Sequence, residues 1–161
     1  LSVHVFMTPG QIASWSRLPI RTIGNVMQGL VAGGHVVSKS INGLGEGHLL
    51  TEDSSLEEAM PPRGVFMLHK ADPIIRAHMA ELKQMFAGEV LQYLLIDGDL
   101  KGAGMGHARI GPHDVDDVEL LLAVNECKAR RDEILAIVSE HYHAPNSRIV
   151  RYAGQDNETC A

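Results

Sequence analysis

The chain has 161 residues, which suits one ordinary domain or two small ones, and 45% hydrophobic with 21% charged residues provides a core and excludes general disorder. Aromatic residues make up 4%, too few for an aromatic cage or a row of stacked bases, and no window approaches the ~18 uninterrupted apolar residues of a membrane span. The net charge of −6 excludes a protein coated all over for nucleic acid, yet residues 1–45 carry Arg17, Arg21 and Lys39 and no acid, every Asp and Glu lying from Glu46 onward.

Thr8-Pro9-Gly10-Gln11 predicts a helix start, with Thr8 as N-cap, Pro9 at the first helical position and Gln11 completing a capping box. This short helix runs to about Ser16, where Arg17-Leu18-Pro19 interrupts it. Ile20, Ile23, Val26, Met27, Leu30 and Val31 then recur at helical spacing, and Gly33-Gly34 supplies a left-handed stop. His35 to Lys39 and His48 to Thr51 read as the strands of a hairpin around the Gly-rich turn 42–47. Ser54 to Pro62, ending in Pro61-Pro62, reads as a boundary between modules.

The second module begins with a strand from Gly64 to Leu68 and a helix from Asp72 to about Phe86 that Gly88 ends. Val90 to Ile96 is almost continuously apolar, as in a central strand covered on both faces. Asp97-Gly98 turns the chain into a strand from Leu100 to Ile110, and Val118, Leu120 and Leu122 alternate with acids in the next. One long helix from about Glu126 to His141 and a closing strand from Arg148 to Tyr152 complete the pattern, with residues 155–161 expected to fray. The expected organisation is α+β: a module over 1–60, a largely antiparallel α+β module over 61–154, and a flexible tail. Cys127 and Cys160 are too few for a disulfide framework or a zinc quartet and read as free thiols. No charged-then-apolar leader is seen, so the expected location is the cytoplasm, without membrane contact.

Helix, proline-containing turn, helix and hairpin occur in the order of a winged helix-turn-helix, and residues 8–51 resemble that family. The matching stretches are Thr8-Pro9-Gly10-Gln11-Ile12-Ala13, Ile20-Arg21-Thr22-Ile23-Gly24-Asn25-Val26, and Gly33-Gly34-His35-Val36-Val37. The resemblance implies a recognition helix over about 20–32 in the major groove of double-stranded DNA, with a wing over 38–48 on the backbone. It also implies a two-fold homodimer acting in transcription regulation rather than an enzyme, with no cofactor and no metal. The family pattern has a further helix before the first short strand. With Ser2 to Met7 as that strand, the helix would lie upstream of Leu1 or come from a partner subunit.

The outer face of the second helix carries Arg21, Thr22, Asn25 and Gln28. Arg suits guanine, Asn and Gln suit adenine, and Thr suits a phosphate or a thymine methyl. Arg17 precedes this helix, and Lys39 and Ser40 on the wing are placed for the backbone. A solvated polar face or a protein-contact module fits the same pattern, and Gly24 and Gly29 each weaken the helix by about 1 kcal/mol relative to Ala.

In the second module, Gly102, Gly104 and Gly106 fall on one face of a strand. They form either a floor for a small-molecule effector or a place of close packing. His107, His113, Asp114, Asp116 and Asp117 crowd one stretch, a pattern open to a metal-dependent hydrolytic enzyme but matching no compact metal-ligand spacing. Val90 to Gly98, with Gly102, is faintly similar to winged-helix DNA-glycosylase-like proteins. That likeness implies base excision as an alternative, with no catalytic residue assigned.

Overall fold

The protein is described by a computed structural model covering residues 6–41, 45–55, 62–107, 114–142 and 148–157. It is a mixed α+β fold with five α-helices and two sheets among the described residues. Its contacts divide the chain into two units, Leu1–Ala59 with Ala71–Lys83 and Met60–Lys70 with Gln84–Ala161.

In the first unit, α1 spans Pro9–Ser16 with the full capping box: the Thr8 side chain accepts from Gln11 N–H and the Gln11 side chain accepts from Thr8 N–H. Arg17 ends the helix in left-handed geometry at φ 62°. After Pro19, α2 spans Ile20–Ala32, and Gly34 at φ 73° turns the chain back. An antiparallel hairpin follows, β1 at Val36–Ile41 and β2 at Gly45–Leu50; the expected turn residues 42–44 lie outside the described residues. Its base is tied to the end of α2 by the Thr51 hydroxyl donating to the Gly34 carbonyl at 2.7 Å. Ile23 and Met27 pack with Val36, flanked by Ile12, Ala13, Leu30 and Leu50. Met7 pairs with His48, so the chain entering α1 lies beside β2. That approach needs Gly47, where a Cβ would strike the Phe6 ring and come within 2.8 Å of the Met7 carbonyl.

A further helix, from downstream in the chain, reaches α1. Helix α3, Pro73–Met85, was expected inside the second module, but residues 71–83 group with the first unit. The Arg76 carbonyl accepts from Ser14 Oγ at 2.8 Å, and the Arg76 guanidinium donates to the Trp15 carbonyl while lying 5.9 Å from the Trp15 ring centroid. Its buried residues are Ile75 and Leu82 on one side and Ala77 on the opposite side.

The second unit holds a six-stranded sheet: β3 at Val65–His69, β4 at Val90–Ile96, β5 at Asp99–Met105, β6 at Val115–Leu120, β7 at Ile149–Tyr152 and β8 at Gln155–Asp156, neighbouring in chain order. All pairs are antiparallel except β6 with β7, whose crossover carries two helices. Residues 155–156, expected in the tail, are a strand, and the strand expected to reach Ile110 ends at Met105 beside Gly106 at φ 152°. The single long helix expected over 126–141 is two helices, α4 at Val124–Ala129 and α5 at Arg131–His141, broken at Arg130. At the break the buried Tyr152 hydroxyl donates at 2.7 Å to the Cys127 carbonyl, the one a continuous helix would offer to Arg131 N–H. The core joins Val65 and Met67 of β3, Leu94 and Ile96 of β4, Val115 and Val118 of β6, and Ile134 and Val138 of α5. Among the described residues no helix is long and apolar enough to cross a membrane.

The β4–β5 turn is fastened by Asp97, which accepts from Gly64 N–H at 2.7 Å and pairs with Arg130, itself bound to Glu133. The Gly64 hydrogen bond first, and then Arg130, hold the Asp97 carboxyl below its ordinary pKa. A carboxyl lowered in the folded state stabilises above its unfolded pKa and loses that contribution as pH falls through the folded value. Thermal unfolding of Asp97→Asn should therefore lie below the parent at neutral pH, with the gap closing below about pH 4; a gap independent of pH would refute the assignment. Gly47→Ala should destabilise by about 1–3 kcal/mol in denaturant unfolding. Gly29→Ala, where nothing lies within 4 Å of a new Cβ, should stabilise by about 0.5–1 kcal/mol in the same assay.

Candidate nucleic-acid interface

Helix α2 is two-faced. At about 100° per residue, Ile23, Met27 and Leu30 fall within about 60° of arc and Arg21, Asn25 and Gln28 within another about 60° on the opposite side. The first group forms the packed side, with Ile23 and Met27 buried at 4% and 6% exposure. The second is exposed, as is Thr22 on the flank. Arg17, Lys39 and Ser40 are exposed too. None of these seven side chains makes a hydrogen bond or ion pair with a described residue, so each has its donors or acceptors open to water or to a ligand.

A groove of about 540 Å³ runs between α2 and the hairpin, with Gly24, Gln28 and Ala32 on the helix side and Ser38, Glu46 and His48 on the strand side. Glu46 is the acid of this groove, and His48 is held by Ser38 Oγ at 3.2 Å. Apolar side chains also reach solvent here, Ile20 at 56% and Val26 at 51% exposure, so the open surface of α2 is mixed rather than uniformly polar.

In the second unit, Gly102, Gly104 and Gly106 are buried. A Cβ on Gly102 would come within 2.9 Å of Leu120 and 3.0 Å of Leu94, while Gly104 faces Met67 at 3.6 Å and Gly106 faces Leu91 at 3.1 Å. Side chains fill the space beside these glycines, and their role in the structure is close packing.

The described part of the His and Asp cluster is dispersed. His107 Nδ1 lies 2.6 Å from Glu89 on the surface, Asp114 accepts from Arg148 N–H at 2.8 Å, and Asp117 is buried beside Arg151 and Gly154. His113 lies outside the described residues, and among those described no three His, Cys, Asp or Glu side chains gather as a metal site. Burial pushes the Cys127 thiol up, and its Sγ donates to the Leu122 carbonyl, so it packs as a small apolar group rather than standing ready as a thiolate. Cys160 lies outside the described residues.

A feature that pattern reading did not expect is a cleft of about 870 Å³ in the second unit, bounded by β6, α4 and the β7–β8 turn. Its walls include Leu120, Leu121, Leu122 and Val124, with Asp117 and Arg131 among the charged members. The run Leu120-Leu121-Leu122 was the available signal; it reads as strand periodicity until the helix break at Arg130 is known. Comparison with family models, curated protein sequences and solved structures finds no match.

Gly102→Ala should destabilise by about 1–3 kcal/mol in denaturant unfolding, because Leu94 and Leu120 flank the new methyl. Gly104→Ala meets ordinary contact distances and should be tolerated to within about 1 kcal/mol. Equal effects at the two positions would contradict the packing role.

Proposed function

We propose that the protein is a DNA-binding regulator of the winged helix-turn-helix kind. In this reading α2 enters the major groove, the hairpin β1–β2 lies on the phosphate backbone, and two copies bind as a homodimer. The observation that carries the reading is the open polar side of α2: Arg21, Asn25 and Gln28 on one exposed arc, directly opposite the buried Ile23 and Met27. A major-groove reader needs this division, because one side must anchor the helix while the other presents donors and acceptors to base edges. Further support comes from the element order, from Met7 pairing with β2, and from the third helix that α3 supplies to α1. In this arrangement Arg21 pairs with guanine, Asn25 and Gln28 with adenine, Thr22 takes a phosphate or a thymine methyl, and Arg17, Lys39 and Ser40 hold the backbone. A small-molecule effector acting through the second unit, and a cytoplasmic location, belong to the same proposal.

Fluorescence anisotropy with random duplex DNA tests it. Two phosphate-facing cations, Arg17 and Lys39, give an expected slope of log K against log salt of about −1.8 per chain and about −3.6 for a dimer. Lys39→Ala should lower the magnitude by about 0.9 per chain without altering sequence preference. Arg21→Ala should weaken a selected specific site by about 1–3 kcal/mol and relax preference at one base pair. No binding at low salt, or binding indifferent to salt, would exclude the reading.

A further inference from the structure

We propose that the cleft of the second unit binds a small hydrophobic carboxylate. Its volume of about 870 Å³ lies in the range of small-molecule sites, about 300–1,000 Å³. Leucines 120, 121 and 122, Val124 and Tyr152 give it an apolar body. Leu121 and Val124 remain 47% and 71% exposed, an apolar rim left in water at its boundary.

The polar groups decide the charge of the ligand. Arg131 is held firmly: Nη2 donates to the Asn157 carbonyl at 2.9 Å and to Asn157 Oδ1 at 2.7 Å, and the guanidinium sits 5.9 Å from the Tyr152 ring centroid. Its Nε–H is nonetheless buried with no acceptor among the described residues, an unfavourable state for a donor. Lys128, a second cation of the same cleft, makes no ion pair with a described residue.

The acids do not offset these cations equally. Asp117 is already engaged, accepting from Gly154 N–H at 3.3 Å with Arg151 3.6 Å away, and Asp132 stands 3.8 Å from Arg131 Nη1, so of the acids lining the cleft Glu119 alone is left to face Lys128. The unmet demand is for an anionic acceptor attached to an apolar body. A carboxylate supplies two acceptor oxygens, suited to an Arg beside a Lys. A hydrophobic amine would find Asp117 occupied and two cations in its way. The inference concerns the second unit alone and stands whether or not the first unit binds DNA.

The full chain, labelled with ¹⁵N, is titrated with 1-naphthylacetate and, separately, with its cationic counterpart 1-naphthylmethylamine. The anion should give saturable shifts confined to amides over 117–131 and 151–157, and the amine should give none. Arg131→Gln should weaken the anion by about tenfold or more. Because Arg131 also holds Asn157, a second variant guards against a folding artefact: Val124→Glu places a like charge on an exposed rim position at the start of α4. It should weaken the anion by about tenfold with unchanged thermal unfolding. No saturable shift up to about 10 mM anion, equal binding of the amine, or full anion affinity in Val124→Glu would each overturn the proposal.

Discussion

Burial of Ile23 and Met27 against Val36 fixes the rotation of α2 about its own axis, and the first unit depends on that rotation. A helix of 13 residues has no intrinsic preference for the side it turns to water; the apolar stripe decides, because burying such side chains is worth about 1.5–3 kcal/mol each. Once Ile23 and Met27 face the hairpin, Arg21, Asn25 and Gln28 face solvent by the helical period alone. The Thr51 hydrogen bond to Gly34 and the backbone bond from Thr51 N–H to His35 then fix the hairpin at the end of the same helix. The polar arc is therefore held at a fixed rotation by the packing beneath it.

The same unit shows how a short helical hairpin is braced. Two helices of 8 and 13 residues bury little by themselves, and α1 has no buried residue of its own. Arg76 answers this with three interactions at the end of α1, taking the Ser14 hydroxyl, giving to the Trp15 carbonyl and covering the Trp15 ring. The Trp15 carbonyl belongs to the last turn of α1, where carbonyls lack helical partners, so the guanidinium both satisfies an acceptor and places positive charge at the negative end of the helix.

Most element positions were legible because they rest on local rules. The Thr8 capping box, the Gly34 stop, the apolar run 90–96 and the Asp97-Gly98 turn each specify backbone geometry from a few adjacent residues, and each element stands within two residues of its expected place. The polar arc of α2 was equally readable, since helical spacing alone assigns its residues to one side. What could not be read depends on partners far apart in sequence. The break at Arg130 lies beside a carbonyl that takes its hydrogen bond from Tyr152, 25 residues further on, and nothing between Glu126 and His141 announces it. The grouping of α3 with α1 rests on Arg76 and His78 meeting residues more than 60 positions earlier. The strand glycines could be assigned to one face, but only the positions of Leu94 and Leu120 reveal that the space beside Gly102 is full.

The cleft in the second unit arises from the same helix break. The Cys127 carbonyl accepts from Tyr152, the helix is interrupted at Arg130, and α4 and α5 are separate segments with Lys128 and Arg131 on either side of the interruption. An unbroken helix would set these residues in consecutive turns on one continuous surface. Buried chemistry sits at this interruption: Tyr152 is 4% exposed, and loss of solvent pushes its phenol up to about 12, so it stays protonated and remains a donor at any physiological pH. Arg130 is fixed on the other side by Asp97 and Glu133. A buried hydroxyl and a charged clamp thus hold the wall that carries the two cations, which would leave less ordering to oppose binding of the ligand proposed above.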